Sequence, residues 1–147
     1  MQTLWNADDR TALLNRFDGL SPNATPRWGT MNAPRMVTHV TDALRAGLGE
    51  LAVSPKRSPL GRWPLNTLVI YYLPWPKGAP TAPELLARAP VAWSDELHTL
   101  RSAVDRFAAR DPRGAWAVHA AFGAIDGDAW GRLMYRHLDH HLRQFGA

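Results

Sequence analysis

Apolar residues recur at helical spacing in four stretches of this chain, which predicts four amphipathic helices. Segments rich in glycine, proline and polar residues separate these stretches and are typical of loops. A residue that suits a helix N-cap precedes each stretch: Asn6, Asn32, Ser94 and Asp126. The predicted helices are Ala7–Asp18, Ala33–Leu48, Asp95–Ala109 and Gly127–Gln144.

The region between the second and third predicted helices has a different character, because most of the prolines lie between residues 55 and 90. Within it, Thr67–Leu73 is rich in β-branched and aromatic residues and fits either a short strand or a buried helix. We expect Leu60–Leu73 to pack as a short extra helix or an irregular element. The whole pattern predicts one all-α domain over residues 1–147, an antiparallel four-helix bundle with a loop-rich crossover in its middle.

Composition agrees with a single globular domain. The 147 residues are 46% hydrophobic, and the seven tryptophans are enough for some to be in the core and a few to line a cavity. The net charge is +4, but the 17 basic residues are scattered among acidic ones, so we expect no nucleic-acid binding. The N-terminus shows no signal-peptide pattern and no apolar stretch could span a bilayer, which predicts a cytoplasmic protein without membrane contact.

The histidines carry the strongest chemical signal. The chain has no cysteine, so a bound metal ion must use histidine or carboxylate ligands. His137 and His141 are four residues apart on the apolar face of the last helix, a spacing that lets both imidazoles reach one ion. His39 lies on the apolar face of the second helix. Together they predict a three-histidine site for a divalent metal, with a coordination position left open for water or substrate.

Other polar residues give weaker signals than these three. His140 points partly off the apolar face and is expected at the surface or in an interface, and His98 is expected in solvent. His119 lies in the loop before the last helix, where it either reaches the pocket or packs the loop. Asp42 follows His39 by one turn and is expected at the surface, so the sequence offers no convincing general base.

The segment Trp75-Pro76-Lys77 allows two interpretations. Trp75 could form an aromatic wall of a substrate pocket, and Lys77 could supply a cation for an anionic substrate group. Alternatively, the segment is a rigid proline-rich crossover that only packs against the helices. The sequence does not decide between them, so Trp75, Lys77 and His119 are candidate pocket residues.

Three blocks of sequence carry a family resemblance. They are Arg27–Asn32, Leu73–Glu84 and Trp130–Phe145. The chain resembles the DinB/YfiT-like metalloenzyme superfamily, and more narrowly a branch of small uncharacterised bacterial proteins within it. In the loop after Val118, Ala120 stands where this branch often has proline.

The resemblance implies an antiparallel four-helix bundle, commonly a homodimer, that holds a divalent ion such as zinc or nickel. It implies that His39, His137 and His141 bind the ion and that Gln144 accompanies His141. Characterised members include transferases and an isomerase that use low-molecular-weight thiols, and others resemble metal-dependent hydrolases. We therefore expect a metal-dependent enzyme for a small-molecule substrate, either a thiol-dependent transferase or a hydrolase.

Two rival functions stay open at this point. The first is a small-molecule-binding or stress-response protein whose metal is structural or vestigial, with no turnover. The second is a basic helical nucleic-acid binder, which would show salt-dependent affinity for DNA and no need for metal.

Overall fold

α-Helices dominate the computed structural model, which describes residues 1–56 and 58–147. Over these residues the structure forms no β-strand, so the expected all-α class is confirmed. Two short 3₁₀ helices, Pro59–Gly61 and Pro83–Leu86, lie in the proline-rich middle. The α-helices are α1 (Ala7–Asp18), α2 (Ala33–Gly47), α3 (Leu65–Tyr71), α4 (Trp93–Ala108) and α5 (Gly127–Gln144).

Side-chain caps start three of the four long helices where the sequence predicts them. The side chains of Asn6, Asn32 and Asp126 accept hydrogen bonds from the backbone N–H three residues later, at 2.8–3.0 Å. The predicted cap at Ser94 is wrong, because α4 already begins at Trp93. The buried carboxylate of Glu96 instead accepts the N–H of Val91 at 2.9 Å and so organises the residues just before the helix.

The ambiguous segment in the middle is helical. α3 ends with backbone carbonyls that have no partner within the helix, as every helix does. The guanidinium of Arg136, on α5, donates to the carbonyls of Val69 at 2.6 Å and Ile70 at 2.9 Å, and also to that of Leu73. A side chain that is distant in sequence therefore satisfies the last carbonyls of this short helix. Local periodicity could not reveal such a contact.

α2 lies at the centre of the molecule, where it packs on both α4 and α5, while α1 packs on α4 and α5 from another side. The apolar faces of the long helices meet in one core, which includes Leu13, Phe17, Met36, Val40, Leu44, Leu100, Phe107, Trp130 and Leu138. At Gly47 an added Cβ would lie 2.9 Å from the ring of Trp130, so the α2–α5 contact requires glycine there. Across the described residues, no helix combines the length and apolar character that crossing a lipid bilayer requires.

Candidate metal centre

Three histidines from two helices meet at one point of the molecule. His39 comes from α2, and His137 and His141 come from successive turns of α5. The centroids of the three rings are 4.9 Å apart in every pairing. One nitrogen from each ring can be chosen so that all three lie within 4.8 Å of one another, which means that the cluster could hold a metal ion.

The spacing of these nitrogens fits a small divalent ion. Nε2 of His39 lies 3.0 Å from Nε2 of His137. Two nitrogens that bind the same tetrahedral Zn²⁺ lie about 3.3 Å apart, given Zn–N bonds of about 2.0–2.1 Å. A movement of a few tenths of an ångström would therefore convert the contact into a pair of ligands, and side-chain rotation is sufficient for that.

Hydrogen bonds at the far side of two rings support the same interpretation. Nδ1 of His39 lies 3.3 Å from the carbonyl oxygen of Leu85, and Nδ1 of His141 lies 2.8 Å from Oε1 of Gln144. Because a carbonyl oxygen only accepts, each ring pairs best with the proton on Nδ1, which leaves the lone pair of Nε2 free. Ligating histidines in metalloproteins are held in this way, so the residues present fit a metal ion.

Gln144 connects His141 to the loop that precedes α2. Its Nε2 donates to the carbonyl oxygen of Trp28 at 2.7 Å, which fixes which end of the amide faces His141. Gly29 follows in this loop with φ of 77°, and an added Cβ there would lie 2.9 Å from Nε2 of Gln144. A side chain at position 29 would therefore strain the backbone and push Gln144 away from the histidine.

Two buried carboxylates bind a partly exposed arginine close to the 3₁₀ helix whose Leu85 carbonyl faces His39. Arg88, which follows the 3₁₀ helix containing Leu85, donates to both carboxylate oxygens of Glu96 at 2.8 and 3.0 Å. It also reaches Asp42 at 3.4 Å, one turn beyond His39 on α2. Asp42 is 1% exposed, so the expectation that it lies at the surface is wrong.

All three clustered histidines are neutral at pH 7. Burial lowers the pKa of His39, against smaller raising effects of the Leu85 hydrogen bond and of Asp42. Burial, reinforced by the neighbouring histidines, holds the pKa of His137 well below its usual value and lowers the pKa of His141 to about 3. Neutral imidazole is the form that binds metal, so the site is prepared for an ion at physiological pH.

The cluster lines a cavity of about 760 Å³, which falls within the usual range for a small-molecule site. Trp75 lines it as well, with its ring 6.0 Å from that of His137, and its Nε1 donates to the carbonyl of Val69 at 3.1 Å. His119 is also a lining residue. Lys77 is exposed and does not line the cavity, but its ammonium lies 4.7 Å above the ring of Trp28, which does.

His140 lies closer to the site than its position on the helix suggested. It is partly buried and lines the cavity, with its ring 5.6 Å from Trp28 and 6.1 Å from Trp75. The expectation of a position at the surface or in an interface did not foresee this contact with the cavity, because two aromatic loop residues cover this side of α5. His98 is exposed, as expected.

Sequence reasoning missed two residues that organise the site, Trp28 and Arg88. A tryptophan followed by glycine just before a capped helix was a local signal for a tight turn at Trp28. Arg88 had no such signal, since its partners Asp42 and Glu96 belong to separate helices.

Comparison with known proteins identifies one family. A family model described as "Protein of unknown function (DUF1569)" matches residues 14–147. Neither the search of curated proteins nor the search of solved structures gave a match.

Proposed function

The chain belongs to the DUF1569 family of proteins of unknown function, and we propose that it is a metal-dependent enzyme acting on a small molecule. The observation that carries this proposal is the placement of three neutral histidines in the wall of a cavity large enough for a substrate. A structural site is normally closed by four protein ligands, whereas this cluster offers three.

A divalent ion with three histidine ligands acts as a Lewis acid on whatever molecule takes the remaining position and lowers its pKa. His39, His137 and His141 would hold the ion. Leu85 and Gln144 would keep His39 and His141 in the tautomer that binds it. These roles belong to residues whose contacts already exist without the ion.

The cavity wall restricts the reaction further. Among the described lining residues there is no aspartate or glutamate, so this part of the chain provides no carboxylate as general base. Reactions that need only an activated water or thiol are therefore favoured over those that also need a carboxylate as general base. This supports hydrolysis or transfer to a thiol, which are the two activities that the DinB/YfiT resemblance suggests.

We further propose that the chain is a DinB/YfiT-like bundle, in which α1, α2, α4 and α5 are the four principal helices. Zinc or nickel is then the expected ion, and a low-molecular-weight thiol is a candidate co-substrate. The expected homodimer stays a prediction, which the sedimentation coefficient of the purified protein would test.

Elemental analysis of the purified protein tests the metal site directly. We expect about one divalent ion per chain after growth in metal-replete medium, and loss of that ion in His39→Ala, His137→Ala and His141→Ala. His98→Ala is the matched control, since its ring is exposed and does not line the cavity. A wild-type protein that neither carries metal nor can be loaded with zinc, nickel or cobalt would refute the proposal.

Turnover separates an enzyme from a binding protein. The metal-loaded protein should be assayed with several thiols and electrophilic acceptors, and separately with activated esters. Activity that disappears in His137→Ala supports the enzyme, while stoichiometric metal without any turnover supports the binding or stress-response alternative.

A further inference from the structure

His119 occupies a rigid position in the cavity wall. It lies in the loop before α5, where its backbone N–H and C=O bond to the C=O and N–H of Gly123 at 2.8 and 2.9 Å. Its Nδ1 accepts two further hydrogen bonds, from the backbone N–H groups of Ala121 at 3.0 Å and Phe122 at 3.1 Å. The ring lies against Phe122 and Trp130, with centroid distances of 4.9 and 5.2 Å.

These contacts determine where the proton of the ring sits. A nitrogen that accepts two N–H groups carries no hydrogen, so the neutral ring of His119 must be protonated on Nε2. Burial lowers the pKa of His119 to about 4, and the ring is therefore neutral at physiological pH. Nε2 lies on the side of the ring away from the two amides, and it has no hydrogen-bond partner among the described residues.

We propose that Nε2–H of His119 binds the carbonyl oxygen of an uncharged, largely apolar substrate in the cavity that also contains His39, His137 and His141. The carbonyl group is the part of the substrate that these histidines and their metal ion would act on. The statement that the ion acts on this carbonyl rests on the proposed function, whereas the hydrogen bond from His119 does not need the ion.

The character of the cavity selects for such a substrate. Lys56 is the one lining residue with a formal charge among those described, and its side chain is exposed. Away from the three clustered histidines, a charged group of the substrate would lose its hydration without finding a charged partner deeper in the described cavity wall. The apolar part of a neutral substrate would instead contact a wall that includes Met31, Leu51, Val53, Leu60, Leu133 and Met134.

A neutral donor also suits a carbonyl better than it suits an anion. A protonated histidine would attract carboxylates and phosphates by charge, but His119 contributes only a dipole. Because the loop amides hold its tautomer, the ring offers a donor at Nε2 and no acceptor there. The ring therefore binds an acceptor, such as the oxygen of a ketone, ester or amide, and cannot accept a hydrogen from a hydroxyl group.

The test uses two probes of nearly equal shape, benzophenone and its methylene analogue diphenylmethane. Binding to the full-length protein is measured by NMR shift titration, once with metal removed and once with zinc added. We expect the metal-free wild type to bind benzophenone about three- to tenfold more tightly than diphenylmethane, the usual effect of one net hydrogen bond. Long-range ¹H–¹⁵N spectra should show His119 protonated on Nε2 at pH 7.

Matched variants isolate the donor. The substitution His119→Asn places an oxygen near the position of Nδ1, which keeps an acceptor for the loop amides but removes the Nε2 donor. We expect this variant to lose the preference for benzophenone. His119→Gln places an amide near the position of Nε2 and should keep part of that preference, and Val118→Ala controls for changes in the cavity wall. Thermal unfolding checks that each variant is folded.

The outcomes separate this inference from the proposed function. Equal binding of both probes by the wild type, failure of both probes to bind, or an undiminished preference in His119→Asn would overturn the inference. So would a proton on Nδ1. A His119-dependent preference in a protein that cannot be loaded with metal would support the inference while refuting the metal-dependent enzyme.

Discussion

Nε2 of His39 and Nε2 of His137 lie 3.0 Å apart, although 98 positions separate the two residues in the chain. Two imidazole nitrogens at this distance share one hydrogen, so one ring donates and the other accepts. A metal ion requires the lone pairs of both nitrogens. The hydrogen bond and the ion therefore exclude each other, which makes the contact a reporter of metal binding.

Zinc binding should remove the shared hydrogen from this pair. His39 carries its proton on Nδ1, against the carbonyl of Leu85, so His137 is the ring that donates. When zinc is titrated into the metal-free protein, we expect His137 to change to the tautomer with the proton on Nδ1. Long-range ¹H–¹⁵N spectra of the histidine rings measure this change. The exposed ring of His98 is the internal control, and an unchanged His39–His137 pair at saturating zinc would contradict the ligand assignment.

Gln144 should contribute to metal affinity without touching the ion. Gln144→Leu removes the acceptor for Nδ1 of His141, and we expect the zinc dissociation constant to rise about 10- to 100-fold. Gln144→Glu keeps an acceptor but cannot donate to Trp28, so zinc affinity should fall much less. Competition with a chromogenic chelator measures both. Equal losses in the two variants would show that Gln144 acts through packing and not through His141.

Arg88 should matter more for stability than an ordinary surface arginine. Arg88→Met leaves the carboxylates of Asp42 and Glu96 buried without this partner, and we expect a loss of about 3–5 kcal/mol in the free energy of unfolding. Adding Glu96→Gln to this variant should restore part of the loss. Urea denaturation gives the values.

The exposed pair between Arg106 and Glu50 provides the comparison. Its geometry is similar, with distances of 2.9 and 3.0 Å, but both side chains are in contact with solvent. Arg106→Met should therefore cost no more than about 1 kcal/mol. Similar losses for Arg88→Met and Arg106→Met would mean that burial of the carboxylates is unimportant.

The metal-free protein should lose stability as the pH falls below about 6.5. The pKa of His119 is lowered to about 4 in the folded chain, so between these values the unfolded chain binds more protons at this residue. The contribution of this one group to the free energy of unfolding is complete above about pH 6.5. It is lost as the pH falls to about 4, by up to about 1.4 kcal/mol per pH unit. Urea denaturation in EDTA at pH 7 and pH 5 measures it.

The variant His119→Asn isolates this contribution, because it has no imidazole to titrate at that position. Between pH 7 and pH 5 its free energy of unfolding should decline less than that of the wild type. His98→Asn, at an exposed position, should follow the wild type. A His119→Asn protein with undiminished pH dependence would show that other groups cause the acid sensitivity.

Sequence alone was sufficient for the parts of the molecule that depend on local order. The bounds of α1 and α5 follow from an N-cap and a regular apolar face, and the same faces brought His39, His137 and His141 to one point. The start of α4 was misplaced because Glu96 organises the residues before it by a contact that no local preference for serine reveals.

What the sequence could not provide are contacts between distant segments. Asp42 is buried next to Arg88, which comes from another part of the chain, and His140 is covered by Trp28 and Trp75. Each residue has polar or mixed character on a helix surface, so periodicity assigns it to solvent. Such residues depend on the loops, whose paths have no periodic signal.

Helices and loops supply different parts of the cavity wall. The three clustered histidines stand on α2 and α5, while much of the remaining wall comes from the loops at residues 28–31, 49–56, 75–82 and 117–122. Loops tolerate substitutions and insertions that helices of a packed core do not. Substitutions in these loops can thus alter what the cavity accepts while the three histidines stay in place, and loop engineering becomes a practical route to new selectivity.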